Sequence, residues 1–402
     1  MAEQSHQLLL VLTFNQVMKT LHKIVLILFL LLIHSCIVQF IPETDEDKEL
    51  LVVEGIITDQ PGPNTIKLSK SMPLGKKNVA KPVKGCIVTI SDDLGNYYSL
   101  TEKPFGTYTT NPAVFTGAVG RTYTLHINTN TAYNNQTYES LPMELKPVPP
   151  IDSIYYEKKI IEDREGLWQP VDGCQIYLNT HDPNNYCKYY RWEYDETWEF
   201  RLPYSAPENR ICWLSGNSEK INIKNTSVLG EDRINRYPLC FITNATDRLK
   251  VRYSMLVNQY SLNEDEFLYW EKLQNLSEEV GGLYDITPSA IPSNIWCVED
   301  PNEKVLGYFS VSAISSKRLF IKDYFNGIID LYSECISDTI YGRAPIPGLN
   351  ESVWLLEDYL DAEPPYRVIT WKKDCADCTI RGTNIEPLFW KEGKKQMILE
   401  DN

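Results

Sequence analysis

The sequence predicts a mainly β protein built from two tandem antiparallel β-sandwich domains of the Ig-like or transthyretin-like kind. Tyr contributes 25 residues and aromatic residues make up 11% of the chain, a composition that favours strands. Short runs rich in Val, Ile and Thr alternate with clusters of Gly, Pro, Asn and Asp, which is the pattern of strands joined by turns. The length of 402 residues exceeds that of one average domain.

An export signal precedes the predicted domains. Residues 19–36, "KTLHKIVLILFLLLIHSC", hold two lysines and then the apolar run 24–33, about half the roughly 20 residues that a membrane-spanning helix needs. A basic start, an apolar core of this length and Ser35 before Cys36 form the order of a lipoprotein signal. "IHSC" resembles the bacterial lipobox, so we expect cleavage before Cys36 and a lipid on Cys36. An uncleaved anchor or a buried helix is the alternative, and Met18 is the expected true start.

The predicted segments follow from turns and from one proline-rich joint. "LKPVPPIDSIYY" runs from a Pro-rich stretch into a new strand, which indicates a domain boundary. Ser261 and Glu264 have the spacing of a capping box ahead of an amphipathic run. The segments are a signal peptide 1–35, a polar tether 36–49, an N-terminal sandwich 50–144, a second sandwich 145–325 with a helix 261–280, and an irregular extension 326–402 packed on the second domain.

The run "YYRWEYDETWEF" (189–200) alternates strictly. One face of this strand carries aromatic residues, and we expect that face to be buried. A platform for stacking sugars is the alternative. The aromatic positions are Tyr190, Trp192, Tyr194, Trp198 and Phe200.

The charge balance limits the possible partners. The chain has 54 acidic and 39 basic side chains and a formal net charge of −15. Nucleic acids and anionic lipids both need Lys and Arg for binding, so we expect neither as a partner. The outer membrane would be reached through the lipid on Cys36.

Motifs for catalysis are missing from the sequence. Of five histidines, only His126 and His181 lie beyond the signal, the first predicted on an outer strand face and the second in a loop. There is no GxSxG, HExxH or phosphate-binding loop. We therefore expect no metal, no cofactor and no enzyme activity, although a hydrolase using two carboxylates stays an alternative.

The cysteines suggest disulfides in an oxidising compartment. Ten are present, and a lipid on Cys36 leaves an odd number, so at least one keeps its thiol. Cys86 is the candidate, because it lies on the predicted inner face of a strand. Cys335 is expected to form a disulfide with Cys375 or Cys378 and to fasten the C-terminal extension.

Several segments in order resemble one family. They are "LVVEGIITDQPGPNTIKLSKS", "VKGCIVTISDDLGNYYSL", "YWEKLQNLSEEVGGLYD", "VLGYFSVSAISSKRLFI" and "CADCTIRGTNIEPLFW". Together they resemble the lipoproteins of the domain-of-unknown-function family 4249 from Gram-negative bacteria. The resemblance implies an outer-membrane lipoprotein encoded beside TonB-dependent transporters. It supplies no catalytic residues.

The predicted function is binding or accessory, in association with a TonB-dependent transporter barrel. Loop aromatics, with Trp168, Tyr204 and Trp213 as candidates, would bind a glycan or peptide ligand. A structural surface or adhesin lipoprotein is the first alternative. A carboxylate-dependent hydrolase is the second.

Overall fold

The computed structural model describes residues 49–71, 81–129, 135–161, 171–278, 291 and 293–391. From Leu50 onward the described residues belong to one compact unit. The predicted signal peptide and the lipid site Cys36 lie outside the described residues.

Strands dominate the described chain, as the composition predicts. In the N-terminal third they are β1 (Leu51–Ile57), β2 (Thr65–Lys70), β3 (Lys81–Pro82), β4 (Ile87–Asp92), β5 (Tyr97–Ser99), β6 (Thr101–Lys103), β7 (Thr107–Thr109), β8 (Thr122–Asn128), β9 (Thr137–Ser140) and β10 (Met143–Glu144). The middle third holds β11 (Ile151–Ile161), β12 (Val171–His181), β13 (Tyr189–Arg201), β14 (Ile211–Asn217), β15 (Asn222–Asn225), β16 (Arg233–Thr243) and β17 (Arg252–Ser261). Helix α1 (Glu264–Glu278) is followed by β18 (Ile295–Cys297), β19 (Leu306–Val311), β20 (Ile314–Ile321), β21 (Asp338–Tyr341), β22 (Trp354–Tyr359) and β23 (Tyr366–Thr370).

Two sheets contain the N-terminal strands. Sheet I has the order β19-β1-β2-β7-β6 with β3 on β2, and sheet II has the order β18-β9-β8-β4-β5 with β10 on β8. All their pairings are antiparallel except β1 with β19, which is parallel. Strands β18 and β19 come from the segment that the sequence assigns to the second domain, so residues 295–311 contribute to sheets I and II.

Sheets I and II share one hydrophobic core. Val53 and Leu68 are paired across β1 and β2 and are fully buried, as are Ile90, Leu125 and Tyr138 of sheet II. Alternation along each strand places these side chains on one face. Complete burial of an aliphatic side chain of this size stabilises the fold by about 1.5–3 kcal/mol.

The central strands form a second pair of sheets with its own core. Sheet III has the order β11-β12-β16, and sheet IV has the order β14-β13-β17-β20 with β15 on β13. Ile176 of sheet III and Tyr190 and Trp192 of sheet IV belong to one cluster of buried side chains. The indole of Trp192 donates a hydrogen bond to Gln259 Oε1 at 2.9 Å, which satisfies its polar atom inside the core.

The burial predicted for the aromatic face of β13 is confirmed at three of its five positions. Tyr190, Trp192 and Phe200 are at most 1% exposed, whereas Tyr194 and Trp198 are half-buried.

Helix α1 starts later than predicted. Strand β17 continues through Ser261, so the expected capping box is not formed. Instead the carbonyl of Asn263 accepts the first helical hydrogen bond, from the backbone of Phe267 at 3.0 Å. Phe267 and Trp270 pack on sheet IV as the helical spacing predicts. In the described part of the chain, no helix is both long and apolar enough to cross a membrane.

The expectation of an irregular C-terminal extension is wrong for residues 338–370. Three strands in this range form a separate sheet, sheet V, with the order β21-β23-β22. The runs "WLLEDY" and "YRVIT" carry the strand-forming residues. Two disulfides hold the region: Cys335 bonds to Cys375 with an S–S distance of 2.00 Å, and Cys378 bonds to Cys212 of β14 at 1.98 Å.

Candidate functional site

Two adjoining cavities lie against sheet IV, the larger between it and sheet III and the smaller between it and residues 245–248. One has a volume of about 630 Å³ and the other about 460 Å³, within the range typical of small-molecule sites. They share Glu196, Asn217, Glu219 and Arg248, and we call the two cavities together the groove. Its other aromatic and polar side chains include Tyr194, Trp198, Tyr237, Phe241, Gln175, Lys220 and Gln274.

Strand β13 supplies the floor of the groove by alternation. Tyr194, Glu196 and Trp198 lie at every second position and therefore on one face of the strand. Tyr253 of the neighbouring β17 is in register with Trp198. Its hydroxyl donates a hydrogen bond of 2.7 Å to Glu196 Oε2.

Two carboxylates of the groove, Glu196 and Asp247, are paired with arginines. Glu196 is 7% exposed, and the guanidinium of Arg248 donates to its two oxygens at 3.0 and 3.2 Å. Asp247 accepts a hydrogen bond from the Trp198 indole at 3.2 Å. It also forms an ion pair with Arg381 at 3.1 Å.

Burial and neighbouring charges shift the pKa values of the surrounding groups. It raises the pKa of the Cys240 thiol to about 12 and raises the pKa of Tyr194, beside Cys240 and Glu196. Burial by itself would lower the pKa of Arg248, but the carboxylate of Glu196 outweighs it and raises the pKa. At neutral pH the thiol and the phenol are therefore protonated, and Arg248 is charged.

Most ionisable groups of the groove are engaged with one another or protonated. The groove is lined by no histidine, its cysteine is protonated, and the oxygens of Glu196 already accept three hydrogen bonds. Among the described residues, no group of three or more His, Cys, Asp or Glu side chains is placed to hold a metal ion. The amide of Asn217 is exposed in the groove, and the rings of Tyr194 and Trp198 are half-buried there.

The two predicted ligand-binding residues that the structure describes, Tyr204 and Trp213, do not line the groove. Trp168 lies outside the described residues. Tyr204 is half-buried and packs against the cluster of Leu356 and Cys375. Trp213 was expected in a loop, but it lies inside β14, is 8% exposed and packs edge-on against Trp390 at 6.5 Å. The expected loop position of Trp213 is therefore wrong, whereas its expected role in ligand binding stays a prediction.

The two histidines lie outside the groove. His126 is on the outer face of β8 as predicted, with Nε2 2.8 Å from Ser91 Oγ. His181 is the last residue of β12 rather than a loop residue, and its Nδ1 lies 2.7 Å from a carboxylate oxygen of Asp152.

The other cysteines follow the sequence in part. Cys86 is outside both disulfides and is half-buried against the first core. Of the two pairings left open for Cys335, the structure contains the one with Cys375, whereas the partner of Cys378 is Cys212.

Sequence reasoning missed Glu196. It occupies the aromatic face of β13, between Tyr194 and Trp198. A carboxylate within an apolar alternation is a usable signal, because a buried charge requires a partner. The identity of that partner, Arg248, depends on tertiary structure.

These features define a mainly β protein with ligand-sized cavities against its sheets. Residues 38–318 match the family model described as "Domain of unknown function (DUF4249)". The match covers more than half of the chain, so the chain belongs to this family, and the resemblance noted in the sequence is confirmed. No curated protein matches the chain.

Proposed function

We propose that this protein is an outer-membrane lipoprotein that binds a ligand in the groove and does not transform it. The observation that carries the proposal is the neutralised floor of the groove. Glu196 is held by Arg248 and Tyr253, so it serves to fix the walls of a site rather than to move protons.

The ligand that best fits the groove is an oligosaccharide. Half-buried aromatic faces from Tyr194, Trp198 and Tyr237 lie beside amides and charged groups, which match the apolar faces and hydroxyl groups of sugars. Asn217 and Lys220 are exposed at the edge of the groove, where they can reach a ligand without reorganising the core.

Further parts of the proposal come from the sequence. The lipid on Cys36 would attach the protein to the outer membrane, and a TonB-dependent transporter barrel is the proposed partner. The two shared cores, one between sheets I and II and one between sheets III and IV, support the interpretation as tandem sandwiches.

Ligand binding can be tested with the purified full chain and soluble oligosaccharides, monitored by tryptophan fluorescence and calorimetry. We expect Tyr194→Ala to weaken binding at least about tenfold, since a stacked aromatic contributes about 1.5 kcal/mol or more. Tyr186→Ala is the matched control. It removes a tyrosine that is 70% exposed and lies in the loop between β12 and β13. Binding of peptides but not sugars, or equal loss in both variants, would contradict the proposed ligand class.

The absence of turnover is tested in the same samples. Product analysis of oligosaccharides, peptides and esters after long incubation should show no hydrolysis. Reproducible hydrolysis abolished by one Asp or Glu substitution would overturn the proposal in favour of a carboxylate-dependent hydrolase.

Attachment to the membrane is tested by Cys36→Ser. The substitution removes the site of lipidation, and each buried CH₂ of a lipid contributes about 0.8 kcal/mol. We expect the variant to leave the membrane fraction while the folded protein persists in the soluble fraction. Sedimentation of Cys36→Ser with membranes after a high-salt wash would show that the lipid anchor is wrong.

The partner is tested by affinity purification of the full chain from detergent-solubilised outer membranes, followed by mass spectrometry. A TonB-dependent transporter should co-purify with the wild type. Recovery of further copies of this chain alone, in large assemblies, would support the structural alternative instead.

A further inference from the structure

A further cavity, of about 660 Å³, lies between helix α1 and the strands of sheets I and IV. It shares no lining residue with the groove. Its walls are mainly apolar and aromatic, with Ile56, Tyr269, Trp270, Leu273 and Tyr308 among them. We call it the helix cavity.

The aromatic walls of the helix cavity are packed against one another. The ring of Tyr269 lies 4.7 Å from that of Tyr308 and 5.5 Å from that of Trp270. The indole nitrogen of Trp270 donates a hydrogen bond to Glu266 at 3.3 Å, and Glu266 is also bound by Ser310 at 2.6 Å. Because Glu266 is fully buried, these contacts hold the walls in place before any ligand binds.

The charged groups of the cavity are already paired. The guanidinium of Arg191 donates to Glu193 and lies between two rings, 4.5 Å from that of Tyr260 and 4.3 Å from that of Trp270. Glu54 and Lys67 form an exposed ion pair at 3.7 Å. The charges of these two pairs cancel, and the buried Glu266 keeps its second oxygen without a hydrogen-bond partner among the described residues.

Two buried donors in the wall have no partner among the described residues. Tyr308 is 6% exposed and its hydroxyl makes no hydrogen bond in this part of the chain. Arg191 is 5% exposed, and its Nε–H is likewise unsatisfied there. Buried polar atoms are nearly always hydrogen-bonded, so these two donors point to a ligand that carries acceptor oxygens.

We propose that the helix cavity binds a small aromatic molecule bearing a carboxylate or carbonyl oxygen. Its planar body would pack among Tyr269, Trp270 and Leu273. Its oxygen would accept hydrogen bonds from the Tyr308 hydroxyl and Arg191 Nε. The volume is sufficient for one or two fused rings with a short substituent.

The test uses 2-naphthoate, an aryl carboxylate, titrated into the purified full chain by calorimetry with a protein-free blank. We expect saturable binding to one site. Tyr308→Phe keeps the ring but removes the hydroxyl, and should weaken binding about threefold to tenfold, the effect of one hydrogen bond. Leu273→Trp fills the cavity and should weaken binding more than tenfold.

Two controls make the result specific. Tyr194→Ala, in the groove, should bind 2-naphthoate as the wild type does, and circular dichroism should show that each variant is folded. Failure of the groove to bind oligosaccharide would leave this result unaffected, because the two cavities share no residue. Binding that does not saturate overturns the proposal. Wild-type affinity in Tyr308→Phe also overturns the proposal, because it would show that binding does not use the hydroxyl. An apolar surface that docks a protein chain would give that result.

Discussion

At the scale of single residues, buried charges determine the character of the groove. Bringing Glu196 out of water costs several kcal/mol, and the cost is offset only when its hydrogen bonds are made. The hydroxyl of Tyr253 supplies one of these bonds. Removing Arg248 alone would leave a buried carboxylate without its cation, which explains why variants that test binding are better placed at Tyr194.

Asp92 gives a prediction for pH dependence. Burial opposes its ionisation, but hydrogen bonds from Asn96, Leu94 and Tyr98 outweigh burial and lower the pKa from 3.8 to about 2. Since the folded state has the lower pKa, the stability contributed by Asp92 is present above pH 4 and is lost as the pH falls towards 2.

We expect Asp92→Asn to destabilise the protein by about 1–2 kcal/mol at pH 7, with a smaller effect near pH 2. Urea denaturation of both proteins at several pH values measures this difference. Asp93→Asn is the matched neighbour, because Asp93 is exposed and its carboxylate accepts a hydrogen bond from Arg121. An equal loss for Asp92→Asn at pH 7 and pH 2 would contradict the assignment.

At the scale of elements, alternation in the sequence predicted strands well and their partners poorly. The buried positions Tyr190 and Trp192 follow directly from the period of β13. The pairing of β1 with β19 could not be predicted, because it joins residues about 250 positions apart and is parallel. Local pattern carries no information about such contacts. The start of α1 was misplaced for a related reason: burial of β17 extends that strand into the expected cap.

Gly307 permits the parallel pairing of β1 with β19. Its φ is +86°, and a Cβ at this position would lie 2.0 Å from the carbonyl oxygen of Val53. Gly120 has a similar φ of +82°, but a Cβ there would meet no atom within 4 Å. Alanine substitutions at the two positions therefore separate the energetic cost of backbone strain from that of steric crowding.

We expect Gly307→Ala to destabilise the fold by about 3 kcal/mol or more, the sum of a left-handed backbone and overpacking. Gly120→Ala should cost only about 1–2 kcal/mol, from the backbone alone. Urea denaturation midpoints measure both. Equal losses for the two variants would show that contact with Val53 does not limit the pairing.

At the scale of the whole molecule, a late segment of the chain pairs with the first strand. Strand β19 completes sheet I, and only Ser312 and Ala313 separate it from β20 of sheet IV. The backbone of Ser312 donates to Ile57 at 2.9 Å, and its hydroxyl donates to the Ser261 carbonyl at 2.9 Å. This crossing brings sheet I next to α1 and so forms the helix cavity, which no local sequence pattern could predict.

The C-terminal segment is fastened at widely separated points. The disulfide of Cys212 with Cys378 closes a sequence separation of 166 residues, and that of Cys335 with Cys375 closes 40. Beyond them Trp390 is fully buried, and its indole donates to Glu199 at 3.2 Å. The sequence predicted the shorter link as one of two options. The longer link depends on β14 lying against the tail.

The two disulfides are expected to differ in how much they stabilise the folded protein. In the chain-entropy model the stabilisation grows with the logarithm of loop length, which gives about 4 kcal/mol for the shorter loop and about 5 kcal/mol for the longer one as upper values. We therefore expect the double variant Cys212→Ala, Cys378→Ala to be less stable than Cys335→Ala, Cys375→Ala in urea denaturation under oxidising conditions. The first variant should also expose the segment around Trp390 to trypsin, because the bond to β14 holds that segment in place. Greater stability of the first variant, with its C-terminal segment still protected, would show that burial of Trp390 rather than the disulfide fastens the tail.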